Sequence, residues 1–333
     1  MPVRQMGLDG AGRFDVMNRK RHIFGPVPSR RLGFSLGVDI IPYKTCSFDC
    51  VYCQLGRTTN KTIQRRGYVP KQLIISELKD YLVEDRDKVD YITFSGSGEP
   101  TLNSKIGEMI GEIKQMTDIP IAVLTNGSLL FEVEVRDGLR NADLVLPSLD
   151  AVTQNIFERV NRPHEGLVTE KTIEGLKKFR KEFDNEIWLE VMLVKGINDD
   201  RGEVKRMADV ISEINPDKIQ LNTVVRPPCE PLAMPLSTSE MKEICKMLSE
   251  KAEIITPRAR KALKAYEKDI EDEIVMLLKR RPCTIGDISN FLGIHRNEII
   301  KYIEVLEEDK RVVKRGHGNQ SYFVVSEDEM RSM

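Results

Sequence analysis

The sequence predicts an α/β core of parallel strands alternating with helices, followed by a small domain of three helices and a two-stranded β ribbon. Three observations predict it. Six short runs, at 38–41, 90–95, 119–124, 143–146, 186–194 and 217–222, are apolar almost throughout, as strands buried on both faces of a parallel sheet are. Helical periodicity separates them. Residues of special type (Cys, Gly, Ser, Asn, Asp) gather just after strands, the rim where barrels of this kind carry function. Right-handed βα crossovers would curl the sheet into a closed or partial barrel; periodicity alone also admits an open doubly wound sheet.

In chain order, residues 1–24 read as an irregular, solvated segment, basic through Arg4, Arg13, Arg19, Lys20 and Arg21. A turn-rich stretch, Gly25-Pro26-Val27-Pro28-Ser29-Arg30-Arg31-Leu32-Gly33, leads to the first strand, 38–41, which Pro42 ends. Helical spacing follows at 71–82, with Leu73, Ile74, Leu78 and Leu82 on one face. The run 90–95 precedes Gly96-Ser97-Gly98-Glu99-Pro100 and a helix through Ile106, Met109, Ile110 and Ile113. The third strand closes on Thr125-Asn126-Gly127 and the fourth on Pro147-Ser148-Leu149-Asp150. Helices at 153–160, 170–182, 200–213 and 238–250 complete the core, 25–255. Residues 256–266 read as a linker. Within 267–326, helical patterns at 270–278, 284–292 and 294–308 and a β pair at 311–314 and 322–325 spell a winged helix-turn-helix. Residues 327–333 read as a polar tail.

Composition bounds the function. With 40% hydrophobic and 31% charged residues, the 333-residue chain is of the soluble globular class, with room for one large domain and a small one. A net charge of −1 supplies no global field for nucleic acid. No apolar run approaches a membrane span, and residues 1–21 have no secretory h-region, so a cytoplasmic location is expected. Six cysteines in such a composition argue for metal or catalytic use over disulfides; Cys229, Cys245 and Cys283 are scattered and read as ordinary thiols.

The other three are concentrated in Cys46-Ser47-Phe48-Asp49-Cys50-Val51-Tyr52-Cys53. Thiolates are the usual ligands of iron–sulfur clusters, and a [4Fe–4S] cubane normally takes four. Three on one loop would leave one iron with an open position, the mark of a reactive metal site. The spacing alone also allows a redox C-x-x-C pair or most of a zinc site, with His22, His164, His295 or His317 as a distant fourth ligand.

This loop, with Tyr52 just before its last cysteine, resembles that of the radical S-adenosylmethionine (radical SAM) superfamily. The resemblance covers roughly 25–255 and decides the barrel question: it implies a partial (β/α)6 barrel. It implies a [4Fe–4S] cluster on Cys46, Cys50 and Cys53. It implies S-adenosylmethionine as the second cofactor, chelated to the open iron and cleaved by one electron to methionine and a 5′-deoxyadenosyl radical that takes hydrogen from a substrate. A reductant such as flavodoxin or ferredoxin is implied as partner. Gly98 and Glu99 match the segment that meets the SAM amino group, with Ser97 a departure from the usual double glycine. Ser148 and Asp150 resemble the polar residues at the ribose hydroxyls, although either also suits a helix N-cap. Asn126 is placed in the pocket floor, where Asn-Gly is also a turn signal. No catalytic side chain beyond the cluster ligands is assigned. Pro28-Ser29-Arg30-Arg31-Leu32-Gly33 and the residues around the cysteines look like a branch grouped with the wyosine-forming tRNA enzymes. The archaeal members of that branch carry further N-terminal cysteines, and none precedes Cys46 here.

Two functions follow. One is a radical SAM enzyme acting on RNA, tRNA first, or on protein; Lys44, Arg57, Lys61, Arg65 and Arg66 around the loop would form a basic rim for a phosphate-bearing substrate. The other is an iron–sulfur redox sensor that binds DNA through the winged helix. Against the second, residues 268–333 carry 11 Lys plus Arg but 13 Asp plus Glu, whereas DNA affinity draws on cationic contacts to phosphates.

Overall fold

The computed structural model describes residues 22–85, 89–225, 228–255, 268–317 and 320–326. Most of the N-terminal segment, the linker and the polar tail lie outside the described residues. The chain divides into two compact units, Met1–Phe24 with Leu263–Met333, and Gly25–Ala262.

β1 (Ile23–Ser29) begins in the last two residues of the segment Met1–Phe24 and continues into the larger unit, where β2 (Gly33–Val38) follows. The cysteine loop follows, with the short β3 (Thr45–Cys46) and β4 (Asn60–Lys61). Then come α1 (Lys71–Asp85), β5 (Tyr91–Phe94), α2 (Ile106–Met116), β6 (Ile121–Thr125), α3 (Val133–Leu139) and β7 (Leu144–Pro147). The series ends with α4 (Gln154–Val160), α5 (Thr169–Glu182), β8 (Glu186–Leu193), α6 (Arg201–Ile214), β9 (Lys218–Thr223), α7 (Thr238–Leu248) and β10 (Ala252–Ile254). One sheet runs β1-β2-β5-β6-β7-β8-β9-β10. Every pair from β2 to β10 is parallel.

Eight strands stand where the sequence suggests six, because β1 and β10 add themselves at the edges. Pro26 and Pro28 mask β1 as a turn, yet an edge strand tolerates residues without an N–H. The first predicted strand is also displaced, ending at Val38 instead of spanning 38–41. There the Asp39 carboxylate takes over, accepting from the backbone N of Ser97 (3.1 Å) and of Ile41 (3.4 Å).

The sheet is curled. In a flat sheet with strands about 4.8 Å apart, β2 and β8 would stand about 19 Å from each other. Instead Arg31, in the β1–β2 turn, reaches Glu190 of β8 at 3.0 Å, and Arg30 donates to Asn222 of β9 at 3.3 Å. Leu32 from the same turn packs with Ala122, Leu144, Leu146 and Trp188 on the inner face. Residues of opposite pleat, such as Val123, Val145, Leu189 and Val191, are equally buried. Burial on both faces is why the strands read as continuous apolar runs.

The smaller unit contains α8 (Lys268–Arg280), α9 (Ile285–Leu292), α10 (Arg296–Glu308) and the antiparallel pair β11 (Val312–His317) and β12 (Gln320–Val325). Thr284 and Asp287 form a capping box at the start of α9, and Gly293 ends it in the left-handed conformation. Ile274, Leu278, Ile288, Ile303, Leu306 and Phe323 share one core with Cys283, which is buried as an ordinary thiol.

Candidate functional site at the cysteine loop

The loop follows β2 directly, so it stands at the C-terminal ends of the parallel strands. Two apolar side chains pin it: Val51 is buried, and Phe48 meets Phe157 of α4 edge-on at 5.2 Å. Backbone bonds finish the attachment. Asp49 N donates to Asn161 O (3.0 Å), Val51 N to Val160 O (3.0 Å), and Glu230 N to Val51 O (3.0 Å). The C-terminal end of α4 and the segment after β9 therefore grip the loop from outside.

Each of the three sulfurs has a nitrogen donor from elsewhere in the chain. Lys44 Nζ lies 3.2 Å from Cys53 Sγ, Asn126 Nδ2 lies 3.6 Å from Cys46 Sγ, and Asn161 Nδ2 lies 3.5 Å from Cys50 Sγ. Burial, with the charge of Glu99, pushes the Cys46 thiol up to about 12, and burial with Asp150 pushes Cys50 well up. Burial works to lower the Lys44 ammonium, but Cys53, then Cys46 and Cys50, outweigh it and raise its pKa. Among the described residues no three His, Cys, Asp or Glu side chains converge as ligands of one ion.

The segment after β5 is locked to the loop. Glu99 N donates to Thr45 O (3.2 Å), and Lys44 N to Ser97 O (2.7 Å). A Cβ on Gly98 would stand 1.8 Å from Thr45 O, so only glycine permits this approach. Ser97 has its own reason to replace a glycine: its hydroxyl donates to the buried Asp39 at 2.5 Å.

Glu99, expected to meet the S-adenosylmethionine amino group, is engaged by the chain itself. It is 2% exposed. Its oxygens accept from Thr101 N (3.0 Å), Thr101 Oγ1 (2.6 Å), Thr125 Oγ1 (2.6 Å) and Asn126 N (2.7 Å). Burial raises its pKa while these four bonds hold it down. Three of these donors converge on Oε1 and Asn126 N alone meets Oε2, so Glu99 ties the end of β5 to the end of β6 while Oε2 keeps acceptor capacity. Asn126, expected in the pocket floor, is oriented by that tie: its Nδ2 reaches Ser47 Oγ (2.8 Å) as well as Cys46.

Asp150 is likewise occupied. It is 3% exposed, and its oxygens accept from the Tyr52 hydroxyl, from Asn161 Nδ2 (2.7 Å) and from Met192 N (2.9 Å). Burial raises its pKa to about 6, against those three donors. Burial and the charge of Asp150 drive the Tyr52 phenol well up, which keeps it a donor. Neither Ser148 nor Asp150 caps a helix, since Thr153 is the N-cap of α4. Ser148 stands half-buried at the end of β7. Asn161 was missed: Asn161-Arg162-Pro163 reads as a helix end, and only the fold carries its amide to both Asp150 and Cys50.

The residues of the basic rim make contacts within the chain, while Arg57, Lys61 and Arg66 stay exposed. Arg57 and Arg162 both meet Glu230, at 2.5 and 2.8 Å, Lys61 donates to Pro163 O (3.1 Å), Arg65 to Thr101 O (3.0 Å), and Arg66 lies over the Tyr68 ring. Cys229 lies near enough for burial, Asp49, Glu230 and Cys53 to raise its pKa, so it flanks the loop. At the start of α10, the His295 ring stacks on Phe24 and caps the helix, and Lys301 pairs with Glu304 at 3.6 Å.

The model of the radical SAM superfamily matches residues 40–208, half of the chain. A UPF0026 protein of Methanocaldococcus jannaschii is 38% identical over 90% of this chain and 95% of its own length. A protein of Brachyspira hyodysenteriae described as GTPase Obg is 40% identical over 88% of this chain, which spans only 44% of that relative. Among solved structures, a radical SAM methyltransferase from Sphaerobacter thermophilus shares the fold, with a TM-score of 0.53 and 16% identity over 69% of this chain and 68% of its own. Among the described residues no helix is long and apolar enough to cross a membrane. The regulator reading gains nothing from these relatives. The chain belongs to the radical SAM superfamily, and its cofactors are a [4Fe–4S] cluster and S-adenosylmethionine.

Proposed function

We propose that Cys46, Cys50 and Cys53 hold the cluster and that the protein is a radical SAM enzyme acting on a substrate inside the curled sheet. The observation that carries this is the set of three sulfurs on one loop, each met by a side-chain nitrogen donor from Lys44, Asn126 or Asn161. Hydrogen bonds to the sulfurs are among the levers that set a cluster's potential and orient its ligands. The residues therefore fit the group. When bound, the cluster supplies the electron that cleaves S-adenosylmethionine, and the resulting radical takes a hydrogen atom from the substrate.

The chain's own residues divide the remaining work. Lys44, Asn126 and Asn161 donate to the sulfurs. Glu99 and Asp150 act as positioning residues, the first holding Asn126 and the second holding Tyr52 and Asn161. Ser148, whose hydroxyl has no partner among the described residues, takes the S-adenosylmethionine contact first expected of several residues. The smaller unit, with the helices and ribbon of a winged helix, serves as a docking module. The resemblance to the wyosine-forming branch makes tRNA the first macromolecule to try as substrate, with a flavodoxin or ferredoxin as reductant.

Two measurements test the assignment. The reduced, reconstituted protein is expected to give an electron paramagnetic resonance signal that changes on adding S-adenosylmethionine and is absent in Cys46→Ala. A signal indifferent to S-adenosylmethionine would remove the open iron from the account. Lys44→Gln is expected to make the cluster harder to reduce. A unit charge within about 5 Å is worth about 3 kcal/mol at an effective dielectric of about 20. That corresponds to a midpoint on the order of 100 mV more negative for one electron, read by potentiometric titration.

A further inference from the structure

The turn between β1 and β2 carries two arginines that the chemistry at the cysteine loop does not use. The turn sits at the N-terminal end of β2, and its arginines reach along the inner face of the sheet. Arg31 Nη1 lies 3.0 Å from Glu190 Oε2, with side chains 14% and 17% exposed. Arg30 donates to Asn222 Oδ1 at 3.3 Å, and Asn222 Nδ2 in turn donates to Glu190 Oε1 at 3.2 Å. Gln220 faces Glu190 across the β8–β9 ladder.

The group is unbalanced in charge and in hydrogen bonding. Two guanidinium groups face one carboxylate. The oxygen that Arg30 uses is shared, since Asn222 Oδ1 also accepts from Thr223 N at 3.0 Å. Burial and then Arg31 lower the pKa of Arg30, against the pull of Glu190, as expected for a cation with too little counter-charge. Arg31 Nη1 is buried and, despite its closeness to Glu190, has no aligned acceptor. Gln220, 2% exposed, donates through Nε2 to Glu253 at 3.0 Å while its Oε1 has no donor. A buried polar group left without its partner costs about 1–3 kcal/mol, and a latch closing the sheet needs only the Arg31–Glu190 pair. The surplus consists of guanidinium N–H groups wanting an acceptor and, beside them, a buried amide oxygen wanting a donor.

We propose that Arg30, Arg31, Asn222 and Gln220 form a substrate subsite for an oxyanion, carboxylate or phosphate, borne by a molecule with a hydroxyl or amine donor next to it. A guanidinium fork is matched to both anions. The place suits a substrate that reacts at the loop: Glu190 lies two residues before Met192, whose N–H is held by Asp150, about 6.6 Å along the same face of β8. The role as a substrate subsite rests on the proposed radical chemistry; the binding of an oxyanion does not.

The single tryptophan of the chain, Trp188, is two residues from Glu190 on that same inner face and reports on the site directly. The test is fluorescence titration of the full-length reconstituted protein with sodium acetate and, separately, with inorganic phosphate, at constant ionic strength. A saturable change is expected with at least one anion: acetate alone identifies a carboxylate substrate, phosphate alone a phosphorylated one, and both the shared chemistry. Arg31→Gln is expected to weaken binding at least tenfold. Glu190→Gln is expected to tighten it several-fold, because the competing carboxylate is gone. A simple latch predicts no saturable change in any variant, or the same response in wild type and Arg31→Gln, and either result overturns the subsite. Should Arg31→Gln fail to fold, Glu190→Gln still decides, since unchanged or weaker binding there contradicts the proposal. Because no step depends on S-adenosylmethionine cleavage, failure here leaves the radical chemistry standing, and the reverse also holds.

Discussion

Gly98→Ala is expected to strip the protein of most of its iron while leaving the barrel folded. The added methyl would sit 1.8 Å from the carbonyl oxygen of Thr45. That oxygen cannot step aside cheaply. It accepts from Glu99 N, and the neighbouring residue Lys44 is bonded through its own N–H to Ser97 O. Overpacking a tight site costs about 1–3 kcal/mol, and a backbone clash this close belongs at or above the upper end. The strain falls on the residue beside Cys46, so relief comes by moving a cluster ligand. Iron per chain, measured after reconstitution, is expected below about a tenth of wild type, with an unchanged far-ultraviolet circular dichroism spectrum. Normal iron loading would show that the approach of the two segments is dispensable.

Asp150→Ala carries the second large effect. It orphans three donors at once: the Tyr52 hydroxyl, Asn161 Nδ2 and Met192 N. Each buried donor without an acceptor costs about 1–3 kcal/mol, partly offset because a buried carboxylate is no longer desolvated. The loop end that holds Cys50 and Cys53 is expected to loosen and lose its cluster at least tenfold faster under a chelator. The cost should also depend on pH. Burial raises the folded-state pKa of Asp150 to about 6, above the ordinary unfolded value of about 3.9. The folded state therefore holds this proton more tightly, and its contribution is fully present below about pH 3.9 and lost as the pH rises through 6. Between pH 4.5 and 7.5 that amounts to about 2 kcal/mol. Urea unfolding of the cluster-free chain should accordingly show a wider gap between wild type and Asp150→Ala at pH 4.5 than at 7.5. A gap independent of pH would contradict the burial of that carboxylate.

The places in this fold were more legible than the roles. Strands such as 144–147 are buried on both faces and announce themselves by composition, and helices such as α6, with Val204, Met207 and Ile211 buried, by spacing. The edge strands β1 and β10 did not, because one is rich in proline and the other only three residues long. At the site, Gly98, Glu99, Asn126 and Asp150 were all found next to the cysteine loop, since special residues after a strand end up on one rim. What they do there depends on contacts across the barrel: Glu99 to Thr125 spans 26 positions, Asp150 to Tyr52 spans 98, and Arg30 to Asn222 spans 192. No local pattern encodes such pairings, so the bracing contacts that Glu99 and Asp150 make were not legible in the sequence. The partners of the basic rim, Glu230 and the Pro163 carbonyl, were illegible for the same reason, being remote in sequence.

The most direct test of the central claim is anaerobic. Protein reconstituted with iron and sulfide is reduced with dithionite, given S-adenosylmethionine, and assayed for 5′-deoxyadenosine and methionine. Wild type is expected to release both in equal amounts, and Cys50→Ala neither. A wild-type protein that holds four irons and four sulfides per chain yet releases no 5′-deoxyadenosine would contradict the assignment of Cys46, Cys50 and Cys53 as the site of radical chemistry.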